Sequence, residues 1–128
     1  MKKFFALSLT VAILFLSSGI SSAKDFWVYK YPDGKNLYII YESVIYGERS
    51  SLYAKFRVKR VAASGDLIKT ENWEIGRDEG DWWYGVVGES RDLRVYDYED
   101  ATEVFHWLKA HRSEAHRTAK SGILVLGD

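Results

Sequence analysis

Rings beside arginines are the groups in this chain best suited to do chemistry. Trp82, Trp83 and Tyr96 lie close in sequence to Arg91 and Arg94. A flat indole or phenol next to a guanidinium can stack on a sugar or a peptide, or anchor a protein interface. These five are the candidate binding residues. The run Trp82-Trp83-Tyr84 puts rings on both faces of one extended segment. They cannot all enter one core unless both faces are covered. Tyr29, Tyr31, Tyr38 and Tyr41 form a second ring-rich patch.

Catalytic chemistry is poorly served by comparison. There is no cysteine, which removes thiol chemistry. The three histidines, His106, His111 and His116, fall at steps of five in a segment with helical spacing. Five residues turn a helix by about 500°, so neighbouring imidazoles point roughly 140° apart. A shared metal needs spacing of three or four. Asp78, Glu79 and Asp81 crowd three carboxylates into GRDEGD, but without the alternating positions and distal glutamate of a calcium loop. No nucleophile elbow, phosphate loop or dinucleotide fingerprint is present. No catalytic residue, metal site or cofactor is assigned. The one enzymatic alternative is a small glycan hydrolase using Glu79, Asp81 or Glu89 as acid or base.

Charge excludes other partners. The chain of 128 residues has 18 basic and 18 acidic side chains, so no overall field gathers nucleic acid. The halves differ, however. Residues 71–103 hold eleven acids against Arg77, Arg91 and Arg94, whereas residues 24–70 hold nine bases and five acids. Either the basic face of one half pairs with the acidic loops of the other, or a bipolar surface steers a charged partner.

These side chains need a scaffold, and the chain announces where it starts. Lys2 and Lys3 precede an apolar run from Phe4 to Leu16 and a small-residue exit ending Ser21-Ser22-Ala23. That order is a secretory signal peptide, and the apolar run is too short for the roughly 20 residues of a membrane span. Cleavage after Ala23 leaves residues 24–128 as one globular domain, periplasmic or secreted, with no integral span. Small exported domains often lean on disulfides. This one has none to use and carries 17 aromatic residues after position 23 instead.

Aromatic and β-branched runs at 25–31 and 37–46 flank Tyr31-Pro32-Asp33-Gly34-Lys35, a turn signal, and predict a hairpin. Residues 52–62 alternate, with Leu52, Ala54, Phe56 and Val58 on one face and Tyr53, Lys55, Arg57 and Lys59 on the other. Further strands are expected over 67–75, 82–87 and 93–98, with 76–81 as a charged loop. Asp100 and Glu103 form a capping box, and Ala101, Val104, Phe105 and Leu108 recur at helical spacing. That helix is expected to run to about Lys120. The apolar tail 123–126 must pair or dock.

Six strands with short connections, followed by a helix, give an α+β class. The architecture is an antiparallel meander of about six strands, a small roll or half-barrel, with one C-terminal helix. This order resembles the pleckstrin-homology-like roll, whose terminal helix carries a Trp near the place of Trp107. Asp81-Trp82-Trp83 and Gly85 also resemble the D-W-W-x-G stretch of SH3 domains over five residues. The A-L-Y-D-Y and P-x-N-Y-V segments of that family are missing, so the match is by chance. The functional expectation is a non-catalytic binding protein of the bacterial envelope that recognises or inhibits another macromolecule. A cell-wall carbohydrate-binding module and a structural envelope component are the alternatives.

Overall fold

The computed structural model describes residues 24–47, 53–89, 92–118 and 123–127. The expected signal peptide (residues 1–23) and Arg91 lie outside these residues. An antiparallel sheet carries one C-terminal helix on its inner face. Strands β1 (Asp25–Lys30) and β2 (Asn36–Ile40) form the expected hairpin. Its turn uses the positive φ of Gly34, 95°, whose amide donates to the Tyr31 carbonyl at 2.9 Å. The second expected strand breaks in two. A 3-10 turn at Tyr41–Ser43 separates β2 from β3 (Ile45–Tyr46). The Ser43 hydroxyl bridges the break, donating to the Ile40 carbonyl at 2.6 Å and accepting from the Arg57 amide at 2.8 Å.

Strand β4 (Ala54–Val61) is the junction of the sheet, pairing with β2, β3 and β5 (Leu67–Asp78). The charged loop expected at 76–81 is instead the end of β5, a tight turn and the start of β6 (Asp81–Val86). Glu79 and Gly80 take φ of 52° and 84°. A two-residue hairpin turn asks for positive φ at both central residues, so Glu-Gly here replaces the usual Asn-Gly. Asp78 and Asp81 close the ladder across it. The charged letters concealed a hairpin. Strand β7 (Leu93–Arg94) is shorter than expected, because the chain leaves the sheet at a 3-10 turn, Val95–Asp97.

Helix α1 (Glu99–His111) also differs from its expected span. Asp100 is not the cap: the N-cap is Tyr98, and no side chain caps that end. One Asp100 oxygen accepts the phenol of Tyr31, and the other accepts the neighbouring Ala101 amide at 2.8 Å. The helix stops at His111, followed by a 3-10 turn at Arg112–Glu114, because the residues beyond bring no apolar stripe to hold a longer helix on the sheet. Strands β8 (His116–Arg117) and β9 (Leu124–Val125) follow, and β9 pairs with β3. The expected docking of the tail is thereby met, with Leu126 buried. The sheet stays open, its paths ending at β1, β7 and β8.

The core lies between the inner face of the sheet and α1. Leu37, Ile39, Phe56, Val58, Trp73 and Ile75 meet Ala101, Val104, Phe105 and Leu108. Buried polar atoms are answered within it: the Tyr46 hydroxyl donates to the Leu108 carbonyl at 2.8 Å. Burial raises the Tyr46 phenol above its ordinary pKa of 10.0.

Three tyrosines of the second patch turn out to latch the helix and the turn that follows it. Tyr29 donates to Glu99 at 2.7 Å, Tyr31 to Asp100 at 2.6 Å and Tyr41 to Glu114 at 2.8 Å. Tyr31 also accepts from Arg60 at 3.0 Å, and Arg60 Nε lies 3.2 Å from Glu71. Glu71 collects Lys69 at 2.9 Å and the Trp73 indole at 2.9 Å as well. Burial alone pushes the Glu71 carboxyl up. Hydrogen bonds from Lys69, Trp73 and Arg60, with the Arg60 charge, outweigh this and hold it down at about 2. Arg60 with Glu71 is the pairing of halves that the charge pattern offered, whereas Lys59 pairs with Asp25 of its own half at 2.8 Å.

Candidate functional site

The candidate site follows from the two-residue period of β5 and β6. Trp73, Ile75 and Tyr84 are buried on the inner face, so Glu74, Gly76, Trp83 and Gly85 belong to the outer face. Two of these four are glycines in mid-strand. Isolated glycines inside strands mark places where something approaches the backbone closely. At Gly76 the visitor is Tyr53, just before β4: a Cβ there would stand 3.0 Å from the ring atom Cδ1. At Gly85 it is Asp92, whose Oδ1 lies 2.5 Å from where a Cβ would sit.

The result is a groove of about 710 Å³ on the outer face. Gly76 and Gly85 are its floor, and Tyr53 and Trp83 are aromatic walls. Glu74, Glu89 and Asp92 supply carboxylates along it. The walls are braced. The Tyr53 hydroxyl donates to Glu74 at 3.0 Å, and the Trp83 indole donates to the Asp78 carbonyl at 3.3 Å. Burial and the Glu74 hydrogen bond both raise the Tyr53 phenol pKa, so it stays a neutral donor at physiological pH. Arg94 is the cross-strand partner of Trp83, with its guanidinium 5.4 Å from the ring centroid, and it reaches Asp81 at 3.6 Å.

The five residues singled out in the sequence therefore do not form one surface. Trp83 lines the groove, and Arg94 lies against its ring outside the lining. Trp82 points the other way, its ring 4.8 Å from that of Phe105, with the Arg77 guanidinium 5.9 Å from its centroid. Tyr96, 56% exposed, meets Phe105 edge-on at 5.7 Å on that same helix side. Phe105 and the strand period thus assign Trp82 to packing. Arg91 is outside the described residues. Of the three hydrolase candidates, Glu89 lines the groove, Asp81 binds Arg94, and Glu79 occupies the β5–β6 turn.

Sequence reading missed Tyr53, Glu74 and Asp92 as site residues. The signal for them was the pair Gly76 and Gly85, of which Gly76 read as the start of a charged loop and Gly85 as an ordinary strand position until the register placed them in neighbouring strands. The tyrosine patch of the first hairpin faces the helix through Tyr29, Tyr31 and Tyr41, while Tyr38 stands opposite Trp27, whose ring is 54% exposed. The histidines separate too. His111 stacks on Trp107 at 4.0 Å, His106 remains on the helix, and His116 enters β8. Among the described residues no group of His, Asp and Glu is placed to hold a metal ion, and no helix is long and apolar enough to cross a membrane. The chain matches no protein-family model, and comparison with curated proteins and with solved structures gives no match either.

Proposed function

We propose that the chain is an exported, non-catalytic binding protein of the bacterial envelope that recognises another macromolecule through the outer-face groove. The observation that carries this reading is the glycine floor between Tyr53 and Trp83. Gly inside a strand costs about 0.5–1 kcal/mol relative to Ala, so two of them in neighbouring strands mark a place where other groups must come close to the backbone. Here that space seats the Tyr53 ring over Gly76 and the Asp92 carboxylate over Gly85, and these with Trp83 line the groove that the proposed partner enters. The leader at residues 1–23 supports the compartment, since its charge, apolar core and small-residue exit are those of an export signal.

A cell-wall glycan is the second occupant to be tested, because an indole wall suits a sugar ring. The test uses the mature chain immobilised over a solubilised envelope fraction and, separately, mixed with insoluble cell-wall glycan. A retained protein that disappears with both Trp83→Ala and Gly76→Val supports the proposal. Sedimentation with the glycan, lost in Trp83→Ala, selects the carbohydrate reading. Retention unchanged by both groove variants refutes the groove as the contact surface.

A further inference from the structure

The walls and charges of this groove say more about its occupant, granting that the groove is the contact surface. We infer that it takes basic side chains of a partner polypeptide, with a guanidinium or ammonium group entering between Tyr53 and Trp83. Among the described residues four carboxylates line it, Glu74, Asp78, Glu89 and Asp92, against one cation, Arg77. That cation is turned away, lying over the Trp82 ring on the opposite face of β6.

The carboxylates are also under-used. Asp92 lies directly over the Gly85 backbone and makes no hydrogen bond or ion pair with a described residue. Glu74 accepts one hydrogen bond, from Tyr53 at 3.0 Å, although an ionised carboxylate offers about four lone-pair sites. Lys55 faces Glu74 across the β4–β5 ladder, so an incoming cation reaches Glu74 from the β6 side, where Trp83 stands.

The chain displays the required geometry at the rim. Arg94 sets its guanidinium 5.4 Å from the Trp83 centroid and 3.6 Å from the Asp81 carboxylate. A cation over an aromatic face and against a carboxylate is attracted by both, and the guanidinium does this better than an ammonium because it is planar and more weakly hydrated. Deeper in the groove the same two chemistries recur, Tyr53 and Trp83 as rings and Glu74 and Asp92 as anions, and no Lys or Arg among the described lining residues other than Arg77 accompanies them. A neutral sugar would leave those anions unanswered, and an acidic peptide would be repelled.

The test titrates the mature chain with acetylated, amidated tetra-arginine, following heat and tryptophan fluorescence, with tetra-lysine, tetra-glutamate and chitotetraose as comparison probes. Tetra-arginine is expected to bind one to one, more tightly than tetra-lysine, and to weaken at least about tenfold when salt rises from about 0.15 to 0.5 M. Glu74→Gln and Asp92→Asn, each checked for an unchanged dichroism spectrum, are each expected to weaken it severalfold, while Glu103→Gln on the helix leaves it alone. Equal binding of tetra-arginine and tetra-glutamate, or indifference to both carboxylate variants, overturns the inference. Chitotetraose binding that Trp83→Ala abolishes and the carboxylate variants do not touch overturns the cationic occupant and leaves the groove reading standing. If no probe binds and envelope capture also ignores the groove variants, both readings fall.

Discussion

Replacing Glu71 by Gln tests whether the chain of contacts Asp100–Tyr31–Arg60–Glu71 holds the helix end to the sheet. The carboxyl is held at about 2 instead of its ordinary 4.5, and its side chain is only 8% exposed. At about 1.4 kcal/mol per pKa unit, that gap sets a ceiling of roughly 3.4 kcal/mol on its contribution at neutral pH. Lys69, one of the partners, is 56% exposed and screened by water, which brings the expected value to about 2 kcal/mol. The direction follows from the depressed pKa: the contribution is complete above 4.5 and disappears as pH falls through about 2. Urea unfolding followed by tryptophan fluorescence, at steps from pH 7 down to pH 2, reads both chains. Glu71→Gln should be less stable by about 2 kcal/mol at pH 7, since Arg60 is left without its anion, and the two curves should converge near pH 2. A deficit below about 0.5 kcal/mol at pH 7, or a constant deficit across the range, refutes the argument that these contacts act through the carboxylate charge.

Two further outcomes concern phenols. Tyr46→Phe deletes a buried hydrogen bond to the Leu108 carbonyl, which should cost about 0.5–1.5 kcal/mol in urea unfolding at neutral pH with no change in sheet content. Burial pushes the Tyr84 phenol up to about 12, so its contribution is complete below 10 and is lost as pH rises from 10 through about 12. Denaturation midpoints between pH 9 and pH 12 should therefore fall less steeply in Tyr84→Phe than in the parent chain, and parallel curves would contradict the assignment.

The sheet was legible because its cause is local. Alternation at 54–58 and the Pro-Asp-Gly turn each specify a neighbour only a few residues away. The hairpin at Glu79-Gly80 was not, because a charged turn and a charged loop share the same letters. The difference is a pair of positive φ angles that only register reveals. Similarly, Asp100 and Glu103 carry the letters of a capping box, yet Tyr31 claims Asp100 from 69 positions away. The site was half visible. Trp83 and Arg94 declare themselves by type, but what separates Trp83 from Trp82 is which side of the ladder each occupies, and Phe105 decides that from the far end of the chain. Tyr53 and Asp92 become site residues only through the absence of side chains at Gly76 and Gly85.

The position of β4 at the meeting of three ladders governs when the groove can exist. The first hairpin, the tail strands and the β5–β7 ladder all reach this central strand through its ladders, and α1 ties the first hairpin to β6 through Tyr29, Tyr31 and the contact of Phe105 with Trp82. Tyr53 sits at the threshold of that strand. The groove is thus tied to completed pairing of the sheet: its glycine floor and its Tyr53 and Trp83 walls come side by side only once β4, β5 and β6 are in register.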